Sequence, residues 1–129
     1  MKLVFIALFC FSLNAVAQTQ TELNQDAYAE FAEADKELNN VYQNILKTYK
    51  SDSQFISKLK STQRIWIEFR NAELEMKFPK KDKSYYGSSY PMCKALYLKE
   101  LTEERTKKLK VWLSGIQEGD VCQGSVKSV

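Results

Sequence analysis

The chain has 129 residues, 44% of them hydrophobic, and it contains no histidine. Its 19 basic and 16 acidic residues leave a net charge of +3, too little for the one-sided basic excess of a nucleic-acid binder. Without imidazole there are no histidine metal sites, no Ser–His–Asp or Cys–His triads and no histidine general base.

The first element is a leader. Lys2 is followed by an apolar run from Leu3 to Leu13, then by Ala15-Val16-Ala17, a small-x-small cleavage site. That is the order of a secretory signal peptide. The run is shorter than the ~20 residues a transmembrane helix needs. Phe9 before Cys10 does not supply the small residue of a lipoprotein site. Residues 1–17 therefore read as a cleaved signal, and the mature chain as periplasmic or secreted, with no stable membrane anchor.

Cleavage removes Cys10 and leaves Cys93 and Cys122. An even count in an exported chain points to one disulfide. A helix from Cys93 to about Leu113 rises ~30 Å, and the chain from Leu113 to Cys122 reaches at most ~30 Å. The Cys93–Cys122 bond thus requires the tail to fold straight back along the helix.

The first helix is predicted from about Thr21 to Tyr49. Thr19 and Glu22 form a capping box. Leu23, Ala27, Phe31, Ala34, Leu38, Val41, Ile45 and Tyr49 recur at spacings of three and four, which puts them on one face. The second helix is predicted from about Ser53 to Phe78, with Ser51 and Gln54 as its capping box. Phe55, Leu59, Thr62, Trp66, Phe69, Glu73 and Met76 form its expected seam. Pro79 ends it, because proline disfavours a helical residue before it.

Lys80 to Tyr90 is the one substantial loop before the third helix. It is basic, then aromatic, then small and polar. Pro91 suits a first helical turn. The third helix runs to about Leu113, with Ala95, Leu98, Leu101, Arg105, Leu109 and Trp112 on one face. Glu103 with Lys107 and Glu104 with Lys108 are spaced for i,i+4 ion pairs. Gly115 is a stop signal. The tail 116–129 reads as irregular. A short link makes the first two helices antiparallel neighbours. The fold class is all-α, an antiparallel three-helix bundle over residues 18–115.

No Gly-rich phosphate loop or Walker lysine is present. Carboxylates two apart on a helix, such as Glu73 and Glu75, point in different directions. The residues imply no cofactor, no metal and no catalytic group; the chain reads as a binding protein, not an enzyme.

Four stretches carry a resemblance: Leu38-Asn39-Asn40-Val41-Tyr42, Gln63-Arg64-Ile65-Trp66-Ile67-Glu68-Phe69-Arg70-Asn71-Ala72-Glu73, Tyr86-Gly87-Ser88-Ser89, and Leu101-Thr102-Glu103-Glu104-Arg105. In this order and spacing they resemble the lysozyme-inhibitor-like (LprI-like) domain family of exported bacterial proteins, over about Thr19 to Leu113. Asn71 departs from the family's aspartate, Thr62 from its alanine, and Gly87 stands alone where two glycines are common. Leu74 and Tyr97 occupy positions where the family commonly has cysteines. The resemblance implies that these two residues face each other across the second and third helices.

Two groups of candidate residues follow. Gln63, Arg70, Glu73, Thr102 and Arg105 form a polar cluster between helices two and three. It is either a buried network fixing helix register or a groove that receives a ligand carboxylate or sugar. Lys83, Tyr85, Tyr86, Ser88 and Ser89 form a loop whose composition suits a recognition surface; alternatively its tyrosines pack back onto the helix ends. The resemblance implies an inhibitor whose loop plugs the cleft of a lysozyme-type enzyme. The alternative is a periplasmic accessory or scaffold module that binds another envelope protein or a wall fragment. An inhibitor should project one compact loop, and a scaffold should carry an apolar patch along a helix.

Overall fold

The computed structural model describes residues 17–129. The segment read as a signal lies outside the described residues except for Ala17, and Cys10 lies outside with it. Three helices follow in order: α1 (Gln20–Thr48), α2 (Ser53–Lys77) and α3 (Tyr90–Ser114), with a 3-10 turn (Lys83–Tyr86) before α3. No strand occurs among the described residues. No helix among them is long and apolar enough to cross a membrane.

The α1 stripe forms as its spacing predicts. Ala27, Ala34, Leu38, Val41 and Ile45 are buried, and Leu23, Phe31 and Tyr49 are half-buried. The capping box is present: the Glu22 N–H donates to the Thr19 hydroxyl at 3.2 Å, and the Thr19 N–H to the Glu22 carboxylate at 2.7 Å. These bonds, the backbone one foremost, hold the Glu22 carboxyl below its usual value.

The chain goes up, down and up, so α1 and α3 run parallel and α2 antiparallel to both. Contacts along the pair fix that sense: Asn24 meets Ser88, Glu30 meets Lys99, Glu37 meets Lys110, and Tyr49 meets Trp112. The α1–α3 pair packs most closely. The reason is side-chain size. Ala27, Ala34, Ala95, Thr102 and Thr106 are all buried, and the separation of two helices follows the bulk of the residues between them. The Thr106 hydroxyl donates to the Thr102 carbonyl at 2.9 Å, so its polar atom is satisfied inside.

The apolar core sits at one end of the bundle. Leu38, Val41, Ile45, Leu59 and Leu109 cluster there, with Tyr42, Leu46, Tyr49, Phe55, Trp66, Trp112 and Leu113 packed around them.

Three expectations need correction. Asp52, not Ser51, caps α2: its carboxylate accepts from the Phe55 N–H at 2.9 Å. A charged cap also complements the positive end of the helix. The face of α2 is rotated as well. Leu59, Gln63 and Leu74 are its buried residues, with Trp66 and Arg70 half-buried between them. Phe69 and Met76, expected in the seam, are 59% and 71% exposed. Successive helical residues are ~100° apart, so α2 cannot turn both Phe69 and Arg70 inward; Arg70 takes the interior.

The third correction concerns Cys93 and Cys122, which are both free thiols. Cys93 lies in the first turns of α3 and Cys122 in the tail. The tail does not run back along α3; it curls under the helix's far end. The Ile116 N–H donates to the Lys127 carbonyl and the Val129 N–H to the Ile116 carbonyl, at 3.0 and 2.9 Å. The Trp112 indole N–H donates to the Ser125 hydroxyl, and the Lys127 N–H to the Tyr49 hydroxyl, both at 3.0 Å.

Gly115 makes that closure possible. Its φ is +79°, and a Cβ there would lie 2.7 Å from Val129 Cγ1 and 2.9 Å from the Lys127 carbonyl. With ψ at 179° this is a backbone conformation essentially reserved for glycine, costing another residue about 1–3 kcal/mol. Gly115→Ala should therefore release the tail while the helices stay folded. Hydrogen exchange at Val129 should rise to the rate of an open amide, with unchanged helical circular dichroism. A protected Val129 amide would refute this account.

Candidate functional site

The loop end of the bundle is built on aromatic packing. Phe78, the C-cap of α2, meets Tyr86 and Tyr90 edge-on, with ring centroids 5.2 and 5.3 Å apart. Tyr86 and Tyr90 stack at 5.7 Å. The Tyr86 hydroxyl accepts from the Lys80 N–H at 3.0 Å. Asp82 caps the 3-10 turn by accepting from the Ser84 N–H and hydroxyl, at 3.0 and 2.7 Å. These bonds hold the Asp82 carboxyl below its ordinary value, the hydroxyl bond most of all. Gly87, at φ +78°, turns the chain out of the 3-10 turn. Asn24 of α1 donates to the Ser88 carbonyl at 3.1 Å.

The five expected loop residues have different surroundings. Lys83 points back: its ammonium donates to the Phe78 carbonyl at 2.6 Å and to the Glu75 carboxylate at 2.9 Å. The Glu75 bond raises its pKa. Tyr86 is part of the aromatic stack, and Ser89 is the N-cap residue of α3 without a side-chain cap bond. Ser88 is exposed. Tyr85 is 71% exposed; the edge of its ring meets Tyr86 at 5.2 Å between centroids, and the Lys80 ammonium lies 5.4 Å from its ring centre. Lys80 and Lys81 are both exposed.

The polar cluster lies midway along the bundle. One Arg70 nitrogen, Nη1, donates to Asp35 of α1 and to the Thr102 hydroxyl of α3, both at 3.2 Å. Arg105 Nε donates to Gln63 Oε1 at 3.1 Å. Trp66 joins the two halves: the Arg70 and Arg105 guanidinium carbons lie 5.1 and 5.8 Å from its ring centre. Phe31 is on Arg70 as well, at 5.6 Å. Burial lowers the Arg105 pKa. Arg70 Nε is buried without a hydrogen-bond partner among the described residues.

Four of the five expected cluster residues thus come together. Glu73 does not; it stands near Tyr97, whose phenol is pushed up by burial and then by the carboxylates of Glu73, Glu100 and Glu104. Lys77 covers the Tyr97 ring at 3.7 Å. Leu74 is buried and Tyr97 half-buried on these facing stretches of α2 and α3. Asp35 is the member the sequence did not reveal. Its one signal is position: it adjoins Ala34 at the edge of the buried α1 stripe.

Beside the cluster, an open groove of about 750 Å³ runs between α1 and α2. No group of three or more Cys, Asp or Glu able to hold a metal occurs among the described residues. The sequence model of one protein family, described as Lysozyme inhibitor LprI, matches residues 10–109. No curated protein and no solved structure gives a significant match.

Proposed function

The chain belongs to the Lysozyme inhibitor LprI family, and on that premise we propose that it is exported after cleavage of residues 1–17 and inhibits a lysozyme-type enzyme through the 80–90 loop. The observation that carries this reading is Tyr85, 71% exposed on a turn tied down from behind. The Phe78–Tyr86–Tyr90 stack, the Lys83 tether and the Asn24–Ser88 bond leave that turn little freedom to lose. Preorganisation of this kind strengthens binding by lowering the ordering cost. A lysozyme cleft presents a carboxylate pair; the Lys80 ammonium lies over the ring of the tyrosine that would enter it, and Lys81 follows in the same exposed stretch. A slightly basic protein is not steered toward a basic enzyme by its net charge, so the loop has to supply the affinity.

The test is mature protein, residues 18–129, against a panel of lysozymes in a wall-lysis assay. Stoichiometric loss of lysis is expected. No inhibition of any of them at a large molar excess would overturn the reading.

One observation favours a second reading. Ile65 and Phe69, each 59% exposed, and Met76, 71% exposed, lie along the outer face of α2 at spacings that share a helix side. That is the apolar strip expected of an accessory module docking another envelope protein. Replacing Phe69 and Met76 by serine would leave lysozyme inhibition intact if the loop acts alone, and would abolish co-purification with an envelope partner if the strip is the interface.

A further inference from the structure

The groove between α1 and α2 is a separate surface from the loop. Asp35, Lys36, Asn39 and Tyr42 line it from α1; Lys60, Gln63, Arg64 and Glu68 line it from α2. From Lys60 to Arg70 the wall of α2 rises ~15 Å. The volume, about 750 Å³, is within the usual range for ligand sites.

The groove has a fixed floor and a free mouth. Gln63 is only 8% exposed. Its Oε1 is engaged by Arg105, which leaves its amide nitrogen as a donor toward the groove it lines. Arg70 and Arg105 on the Trp66 ring hold that side chain in place. At the mouth, Lys60 and Arg64 are exposed and join no ion pair among the described residues.

The lining holds four cationic side chains, Lys36, Lys60, Arg64 and Arg70, against the carboxylates of Asp35 and Glu68. A positive excess calls for an anionic ligand. A bare anion would use donors only, and the two carboxylates would oppose it. Hydroxyl groups both donate and accept, so they pair with carboxylates, amides and the Tyr42 hydroxyl alike. Ile67, 42% exposed, and the half-buried Trp66 add apolar atoms along the groove, suited to the C–H face of a pyranose.

We propose that this groove binds an anionic oligosaccharide: sugar hydroxyls and acetamido groups against Asn39, Tyr42, Gln63 and Glu68, and a carboxylate at Lys60 and Arg64. The site goes beyond the loop reading and needs no enzyme partner.

The experiment is calorimetric titration of the mature protein, without any lysozyme present. The probes are a soluble β-1,4 oligosaccharide of N-acetylated amino sugars bearing lactyl carboxylates, a neutral N-acetylglucosamine oligomer of equal length, and a poly-glutamate peptide. The carboxylated sugar should bind, and more weakly as salt rises. Lys60→Ala with Arg64→Ala should weaken it tenfold or more, toward the affinity of the neutral oligomer. Asn39→Ala should weaken both sugars. All three side chains are exposed, and circular dichroism should show an unchanged fold. Absence of binding by the carboxylated sugar at millimolar concentration, retention of its affinity in the double variant, or equal binding of poly-glutamate would each overturn the proposal.

Discussion

Arg70→Ala should destabilise the protein by about 2–3 kcal/mol, the upper range of ordinary point mutations. The side chain is 12% exposed, whereas Asp35 is 56% exposed. The released carboxylate therefore returns to water, and the ~3–5 kcal/mol of a broken, fully buried pair does not apply. Two other losses remain. Thr102, fully buried, loses the donor to its hydroxyl oxygen, at a cost of about 1–3 kcal/mol for an unsatisfied buried group. Trp66 and Phe31 lose the guanidinium they rest on, with about 0.5–2 kcal/mol in each such contact.

The conservative variants separate these effects. Arg70→Lys keeps the charge but loses the planar guanidinium that lies against Trp66 and Phe31, so it should recover little. Arg70→Met refills the space with a flexible apolar chain and should recover packing but not the Thr102 bond. The expected order of thermal midpoints is native, then Met, then Lys and Ala, with Ala lower by on the order of 10 °C. An alanine variant that melts with the native protein would show that the cluster does not hold the helices together.

The contrast between α1 and α2 shows what periodicity carries and where it stops. In α1 the stripe is small or apolar, one face is unambiguous, and the buried set follows it from Ala27 to Ile45, with Leu23 and Tyr49 half-buried at its ends. In α2 the pattern offers two faces. One runs through Phe69 and Met76 and is more apolar; the other runs through Gln63 and Arg70 and is the one buried. Apolarity alone selects the first. The second wins because Arg70 and Gln63 find partners on α1 and α3, and those partners are distant in sequence. A satisfied polar interior is invisible to a hydrophobic count. The tail was illegible for a related reason: its position depends on Tyr49 and Trp112 offering polar atoms at the foot of the bundle. Extended reach permitted a Cys93–Cys122 bond, yet reach sets only an upper bound, and local hydrogen bonds curl the tail elsewhere. The loop's composition suited both packing and recognition; in the structure Tyr86 and Tyr90 pack on Phe78, and Tyr85 touches Tyr86 by its edge while most of its surface stays exposed.

That division leads to the second large effect. Tyr85→Ala should abolish most inhibition while costing no more than about 1.5 kcal/mol of stability, because what it gives up inside the protein is the edge-on contact with Tyr86. An aromatic anchor in a cleft contributes roughly 2 kcal/mol or more, which is about a thirtyfold rise in the inhibition constant. Tyr85→Phe keeps the ring and should lose far less. Tyr86→Ala is the informative partner, because it removes the stack on Phe78 and Tyr90 and the bond from the Lys80 N–H. Each aromatic pair contributes about 0.5–1.5 kcal/mol beyond its buried area, so this variant should lose both inhibition and thermal stability. Inhibition constants and melting curves measured on the three variants then distinguish contact from scaffold. If Tyr85→Ala inhibits as well as the native protein while Tyr86→Ala does not, the enzyme reads the backbone of the loop and not its exposed ring, and the inserting group must be sought at Gly87 and Ser88.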